Sequence, residues 1–432
     1  MKSLDEISFF LHCGYLPTYK KDDLFHSLFK DNSGELKRNP DDFFTEEAIA
    51  IDAGAKLLRS LFKDVEDGLH VIPLSGGLDS RTIVAGLVEQ GLKDQMMTVT
   101  FGIPGTENFE IGSFIAEKFK LPHKAIDLRS VPISSDKLMQ IAINGSSWTF
   151  LFDAYYNFLI PKEFGEEATY WSGFPGLGLS GRVYYPFESP SWEEVLRLFM
   201  QITRFQQSID LTQPGYDPIR SLPQEPFLDK SILSYEDQVN FIIRQQNYTS
   251  RVILFDGFNY KTPFFSPTWN EYILRLPHKF RSGSYIIRKI LLKIYPDWFL
   301  LPNTSTLGAS LGISKTHQNL RRMLNGIRRR IDKNPRENFK ILDNIWNVFR
   351  IYRSLNYVDY NLCIRERDDF KGLVYENLQD LKRRGILYWL DLDDIWDQHQ
   401  KQSANYGEAL LLLAALEINL KFDELGSDSL GL

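Results

Sequence analysis

The sequence predicts an α/β fold, a twisted parallel sheet flanked by helices, with a mostly helical C-terminal part. Three observations predict it. Short apolar runs alternate with helical periodicity between His70 and Leu128. The first run breaks into a glycine turn, Ser75-Gly76-Gly77, before its helix begins. Beyond Lys315 the chain turns helical and charged.

Residues 1–45 mix apolar pairs such as Phe9-Phe10 with polar turn-rich stretches and carry no catalytic motif. A helix is expected from Thr45 to Leu61, capped by Thr45 and with Glu46-Glu47 in its first turn. His70 to Leu74 reads as a buried strand. After the turn, Ile83, Val84, Leu87 and Val88 share one helix face. Such a strand-turn-helix leaves free backbone N–H groups and the positive helix end at one spot, which suits a phosphate. The loop lacks the lysine of G-x-x-x-x-G-K-[ST], which argues against that class of triphosphatase. Met96 to Phe101 reads as a second strand, Gly102 to Asn108 as a loop and Glu110 to Lys120 as an amphipathic helix. Ala125 to Leu128 is the third strand, so ligand is expected at the strand C-terminal ends.

Lys137 to Gly165 reads as one aromatic-rich helix (Trp148, Phe150, Phe152, Tyr155, Tyr156, Phe158), mostly core. Arg182 to Pro226 is loop-rich. Arg321-Arg322 and Arg328-Arg329-Arg330 read as a solvated helix face. From Asp391 to Phe422 the chain closes with a buried helix carrying Leu410, Leu413, Ala414 and Leu416; His399 is expected to be a satisfied polar residue and the tail from Gly426 frayed.

The 432 residues, 43% hydrophobic and 25% charged, leave room for two or three domains of ordinary globular character. A net charge of −6 argues against nucleic acid as the main partner. The two cysteines, Cys13 and Cys363, form neither a ligand cluster nor a disulfide framework. The start, MKSLDEISFF, lacks the apolar core of a secretory signal. The longest clean apolar run, Ala409 to Leu416, is far shorter than the roughly 20 residues of a spanning helix. A cytoplasmic protein with no membrane span is the expectation.

The segment Ser75-Gly76-Gly77-Leu78-Asp79-Ser80 resembles the S-G-G-x-D-S pyrophosphate loop of the ATP pyrophosphatases, and within them the asparagine synthetase family. The resemblance implies an adenine-nucleotide α-hydrolase-like sheet, ATP as substrate and Mg²⁺ as cofactor. It further implies that Leu74, Ser75, Gly76, Gly77, Leu78 and Ser80 surround the pyrophosphate and that Asp79 holds the metal. The stretch from Phe101-Gly102 resembles the family's second βα unit, which implies that Val99, Phe101 and Gly102 flank the adenine. Three parts follow: a short segment over 1–45, the synthetase-like domain over 46–315 and a helical extension over 316–432. Family members that use glutamine begin with Met-Cys; here position 2 is Lys2, so no glutaminase domain is expected.

Other motifs depart from the family. Ser172-Gly173 through Gly181 align on its S-G-E-G-A-D-E-L-F-G-G signature, with Ser172, Gly173, Leu179 and Gly181 matching. Its carboxylates are replaced by Phe174, Leu177 and Gly178. The metal then rests on Asp79 and the nucleotide, or Glu188 moves in, or the site has decayed. Pro263-Phe264 match the family's R-x-P-F-L-D, with Lys261 for its Arg and Ser266 for its Asp. The family's R-x-K-x-G-F lysine is missing from Leu301 to Gly308, and Lys315 is the nearest lysine downstream.

Four functions remain in view. The first is a ligase that adenylates a small-molecule or peptide carboxylate for attack by ammonia or an amine, delivered by a separate partner or carried on the substrate. The others are asparagine synthesis itself, a pseudoenzyme that binds nucleotide, and a sulfur-transfer pyrophosphatase. The last is disfavoured because no cysteine pair is present.

Overall fold

The computed structural model describes residues 2–17, 46–63, 65–145, 148–176, 189, 191–332, 346, 351–353, 355 and 357–429, without the side chains of 329–332 and 426–429. Five strands, β1 (His70–Pro73), β2 (Met96–Gly102), β3 (His123–Asp127), β4 (Thr169–Trp171) and β5 (Asn259–Lys261), form one sheet in the order β3-β2-β1-β4-β5. Every pairing is parallel, with Pro73 beside Val99, Gly102 beside Asp127 and Trp171 beside Lys261. The α/β expectation is borne out, including the helical C-terminal part.

The chain moves outward from β1 to β3, then crosses back to lay β4 and β5 on the other side. The order therefore reverses between β1 and β4. In open parallel sheets the ligand crevice lies at that reversal, outside the strand C-terminal ends. Pro73 leads into Ser75-Gly76-Gly77 and Trp171 leads into Ser172-Gly173, so both resembling motifs emerge there.

Alternate residues face opposite sides, as the strand period requires. Ile72, Met96 and Trp171 join a core with Ile83, Leu87, Ile115 and Ile290. Val71, Val99 and Tyr170 face the other way, onto Ile160 and Ala168. The largest core lies among the helices, where the N-terminal helix Leu4–Cys13 meets the last helix, Gly407–Ser429. All residues from Ala409 to Leu416 are 0% exposed. At roughly 1.5–3 kcal/mol per buried leucine, packing rather than helix propensity holds this element. Arg384 anchors its far side, donating to Glu417 at 2.7 Å and to Glu424 at 2.9 Å.

Several boundaries differ from the sequence expectation. The first long helix is Glu47–Ser60; Glu46 precedes it without a side-chain cap, and Thr45 lies outside the described residues. The single helix expected over 137–165 is two, Ser135–Gly145 and Leu151–Phe164. Between them Thr149 bridges antiparallel to Tyr15 and its carbonyl accepts from Asn419 at 3.1 Å, contacts made from far along the chain. Helix Gly407–Ser429 continues past Gly426, where fraying was expected. Residues 18–45, as well as Leu177, Gly178, Leu179, Gly181 and Glu188, lie outside the described residues. Among the described residues no helix is long and apolar enough to cross a membrane.

Candidate functional site

The loop after β1 is tied by its own serines. The Ser75 N–H donates to Ser80 Oγ at 3.1 Å, the two hydroxyls lie 3.2 Å apart, and the Gly77 N–H donates to Ser75 Oγ at 3.2 Å. Leu74 is held at the sheet by its N–H on the Val99 carbonyl at 2.8 Å, while its own carbonyl accepts from Thr100 Oγ1 at 2.7 Å. The helix Asp79–Glu89 then starts from Leu78 with no side-chain cap. The first N–H groups of such a helix have no intrahelical acceptor, so they and the helix dipole face the loop. Such an arrangement suits an anion.

Glycine is required here by close approach. A Cβ on Gly76 would lie 2.5 Å from Thr304 Cγ2 and 3.1 Å from Ile111 Cβ. A Cβ on Gly77 would meet only Ser75 Oγ at 3.3 Å and Thr304 Oγ1 at 3.9 Å, which leaves that flank open. On the helix behind, Glu107–Lys118, a Cβ on Gly112 would lie 2.6 Å from the Leu74 carbonyl.

Arg81 lies under the loop and is fully buried. Its guanidinium donates to three backbone carbonyls: Pro302 at 2.6 Å, Trp298 at 3.1 Å and Gly76 at 3.3 Å. Burial pulls its pKa down to about 9, so it remains a cation at neutral pH. A buried cation without a carboxylate partner is costly, and this one projects positive potential toward the loop. Sequence reasoning passed it over, although a charge among Ile83, Val84 and Leu87 was a visible anomaly.

Asp79 is half-buried and enclosed by the second motif. A Cβ on Gly173 would lie 2.8 Å from Asp79 Cβ, and one on Gly176, where φ is +74°, 3.0 Å from Asp79 Oδ2. Only glycine satisfies both conditions at position 176. Ser172 is fixed by its N–H on the Lys261 carbonyl at 2.9 Å, and its hydroxyl accepts from the Phe174 N–H at 3.2 Å. Phe174, at the place of a family carboxylate, is 2% exposed and packs against Phe265 with ring centroids 6.0 Å apart. Pro73, Asn157, Ile160, Tyr170, Ser172 and Gly173 line a cavity of about 120 Å³ beside this junction.

The expected adenine-flanking residues divide. Val99 is fully buried in the sheet core, and its backbone carbonyl is what reaches the loop. Phe101 is half-buried and stacked on Tyr357, with centroids 6.1 Å apart, and Gly102 ends the strand at φ +149°. Lys261 sends its ammonium to Glu66, 3.6 Å away, on the surface. Lys315 is exposed at the head of the helix Lys315–Asp332.

The lysine-free segment Leu301 to Gly308 nevertheless closes on the loop, because the Thr304 N–H donates to the Gly76 carbonyl at 2.9 Å. Asn303 Nδ2 and Ser305 Oγ are shielded from solvent there and have no hydrogen-bond partner. Its basic neighbours are arginines: Arg321 donates to the Leu307 carbonyl at 2.7 Å and Arg288 to that of Ser305 at 3.4 Å. Part of the predicted solvated basic face is thus used to hold this segment.

For magnesium, Asp79 is the carboxylate that reaches the loop, and among the described residues no group of three His, Cys, Asp or Glu gathers. That donor set suits a cation bound by one carboxylate and the phosphates, which is how magnesium commonly sits on nucleotides. No family model matches the chain, and no curated protein matches it.

Proposed function

We propose that this chain is an AMP-forming ligase resembling the asparagine synthetase family. A substrate carboxylate oxygen attacks the α-phosphorus of ATP, the bond to the bridging oxygen breaks and pyrophosphate leaves. Ammonia or an amine then attacks the acyl carbon, AMP departs with the carboxyl oxygen, and one proton is released. The carboxylate belongs to a small molecule or a peptide, and the nitrogen comes from a separate partner or from the substrate. A cytoplasmic setting goes with this reading.

One observation carries the reading: the Ser75–Ser80 loop, its uncapped helix and the buried Arg81 meet Ser172-Gly173 at the sheet's reversal point. The strand order β3-β2-β1-β4-β5 agrees with the doubly wound nucleotide-binding arrangement. In this reading the loop N–H groups and Ser75 and Ser80 bind the leaving pyrophosphate, and Arg81 supports them from beneath. A magnesium ion held by Asp79 and phosphate oxygens would neutralise charge on the pyrophosphate. Asn303 Nδ2 and Ser305 Oγ offer neutral donors where the family uses a lysine.

A second reading, a nucleotide-binding scaffold without turnover, is favoured by Phe174, whose ring fills an apolar site where a family carboxylate would act. Exchange of labelled pyrophosphate into ATP, run with a panel of carboxylates, separates the two. The ligase reading expects carboxylate-dependent exchange that Asp79→Asn abolishes. ATP binding without exchange supports the scaffold, and absence of both rejects the nucleotide reading.

A further inference from the structure

A second polar site is built from three separate stretches of the helical part. Asp153, in the first turn of Leu151–Phe164, accepts a hydrogen bond from the Tyr248 hydroxyl at 2.7 Å. Tyr248 is near the end of the π-helical segment Val239–Thr249 and stacks on Tyr15 with centroids 5.4 Å apart. π-Helical turns are uncommon and often mark functional sites. The Tyr360 hydroxyl approaches the same carboxylate without completing a hydrogen bond; it is shielded from solvent and has no other partner. Tyr357 accepts from Asn157 Nδ2 at 3.0 Å and stacks on Tyr156 at 5.1 Å.

Asp153, Tyr248, Tyr357 and Tyr360 are each half-buried, so the cluster they form touches solvent although the Tyr360 hydroxyl itself does not. No lysine or arginine pairs with Asp153 among the described residues. Glu408, which is exposed, adds negative charge near Asp153, and Arg244 adds positive charge near Tyr248. A carboxylate held among phenol faces is hostile to anions and incomplete without a cation. One carboxylate and several phenols are too few oxygens for a hard divalent ion, but they suit an alkylammonium, which needs one strong acceptor and apolar or π-rich walls. One helical turn from Asp153, Asn157 also lines the cavity that reaches Ser172 and Gly173.

We propose that the half-buried cluster formed by Asp153, Tyr248, Tyr357 and Tyr360 binds the protonated amino group of an organic substrate. This rests on the ligase reading for its biological meaning, as the seat of the amine, but its chemistry is independent of ATP. Ligand-observed NMR titration with n-butylammonium chloride tests it, with n-butanol as the uncharged isostere. Binding of n-butylammonium well above that of n-butanol is expected. Asp153→Asn, which keeps the acceptor for Tyr248, should weaken it at least tenfold, and Tyr248→Phe several-fold. Asp79→Asn should leave it unchanged.

Equal binding of amine and alcohol, or native affinity in folded Asp153→Asn, would overturn the proposal. If Asp153→Asn does not fold, the amine-to-alcohol comparison on the native chain and Tyr248→Phe decide it. Amine binding with no pyrophosphate exchange would sink the ligase reading alone; exchange without amine binding would sink this inference alone.

Discussion

Arg81→Met isolates what a buried cation contributes to the loop. Lowering the guanidinium pKa from 12.5 to about 9 corresponds to a desolvation cost of about 5 kcal/mol. Its three hydrogen bonds to carbonyls offset this at roughly 1.5–3 kcal/mol each. The two sides cancel to within a few kcal/mol, so methionine should fold, with a stability change of about 4 kcal/mol or less. Anion binding has no such cancellation. A unit charge roughly 8 Å away, across the Gly76 peptide, interacts with the guanidinium by about 2 kcal/mol at an effective dielectric constant near 20. Calorimetric titration should therefore show affinity for magnesium–ATP falling about 30-fold. Arg81→Lys keeps the charge but loses the planar fork whose two nitrogens reach the three carbonyls, so it should bind ATP better than methionine does. Native ATP affinity in a folded Arg81→Met protein would refute this electrostatic role.

Gly76→Ala forces apart the contact with Thr304, 2.5 Å from the new Cβ, and should cost about 1–3 kcal/mol in urea denaturation along with ATP binding. Phe174→Glu buries a carboxylate beside Phe265 and should destabilise by about 3–5 kcal/mol without raising exchange; a folded, more active variant would contradict the packing role. Burial raises the Asp153 carboxyl to about 6 from 3.8, so the native state holds its proton more tightly than the unfolded chain. That group's contribution to stability falls as pH rises from 3.8 to 6 and is constant above. Asp153→Asn should then be more stable than the native chain by up to about 3 kcal/mol at pH 7, the gap shrinking to under about 1 kcal/mol at pH 4.

What could be read in the sequence was local. His70 to Gly91 carries its strand, glycine turn and helix in one stretch, and the structure reproduces them as His70–Pro73 and Asp79–Glu89. β4 and β5 went unpredicted because three residues each, Thr169–Trp171 and Asn259–Lys261, are too short to show a period. The split near Thr149 depends on Tyr15 and Asn419, which no window around it contains. The site was half legible for the same reason. Ser75 to Ser80 announces an anion loop, but the closure of Thr304 on Gly76 joins residues far apart in sequence. Reading 301–308 for a lysine found nothing, while its backbone and its two unpaired donors are what meet the loop. The cluster around Asp153 gathers Tyr248, Tyr357 and Tyr360 from distant parts of the chain, and no local pattern marks them.

The central claim is that Ser75 to Ser80 holds the pyrophosphate of ATP, and competition calorimetry on Gly77→Ala tests it most directly. The added methyl lies 3.3 Å from Ser75 Oγ, a contact relieved by a small shift, so the protein should fold. The account predicts that magnesium–pyrophosphate displaces ATP from the native chain, that AMP binds far more weakly than ATP, and that Gly77→Ala loses both ATP and pyrophosphate. Equal affinity for AMP and ATP, or undiminished pyrophosphate binding by folded Gly77→Ala, would contradict it.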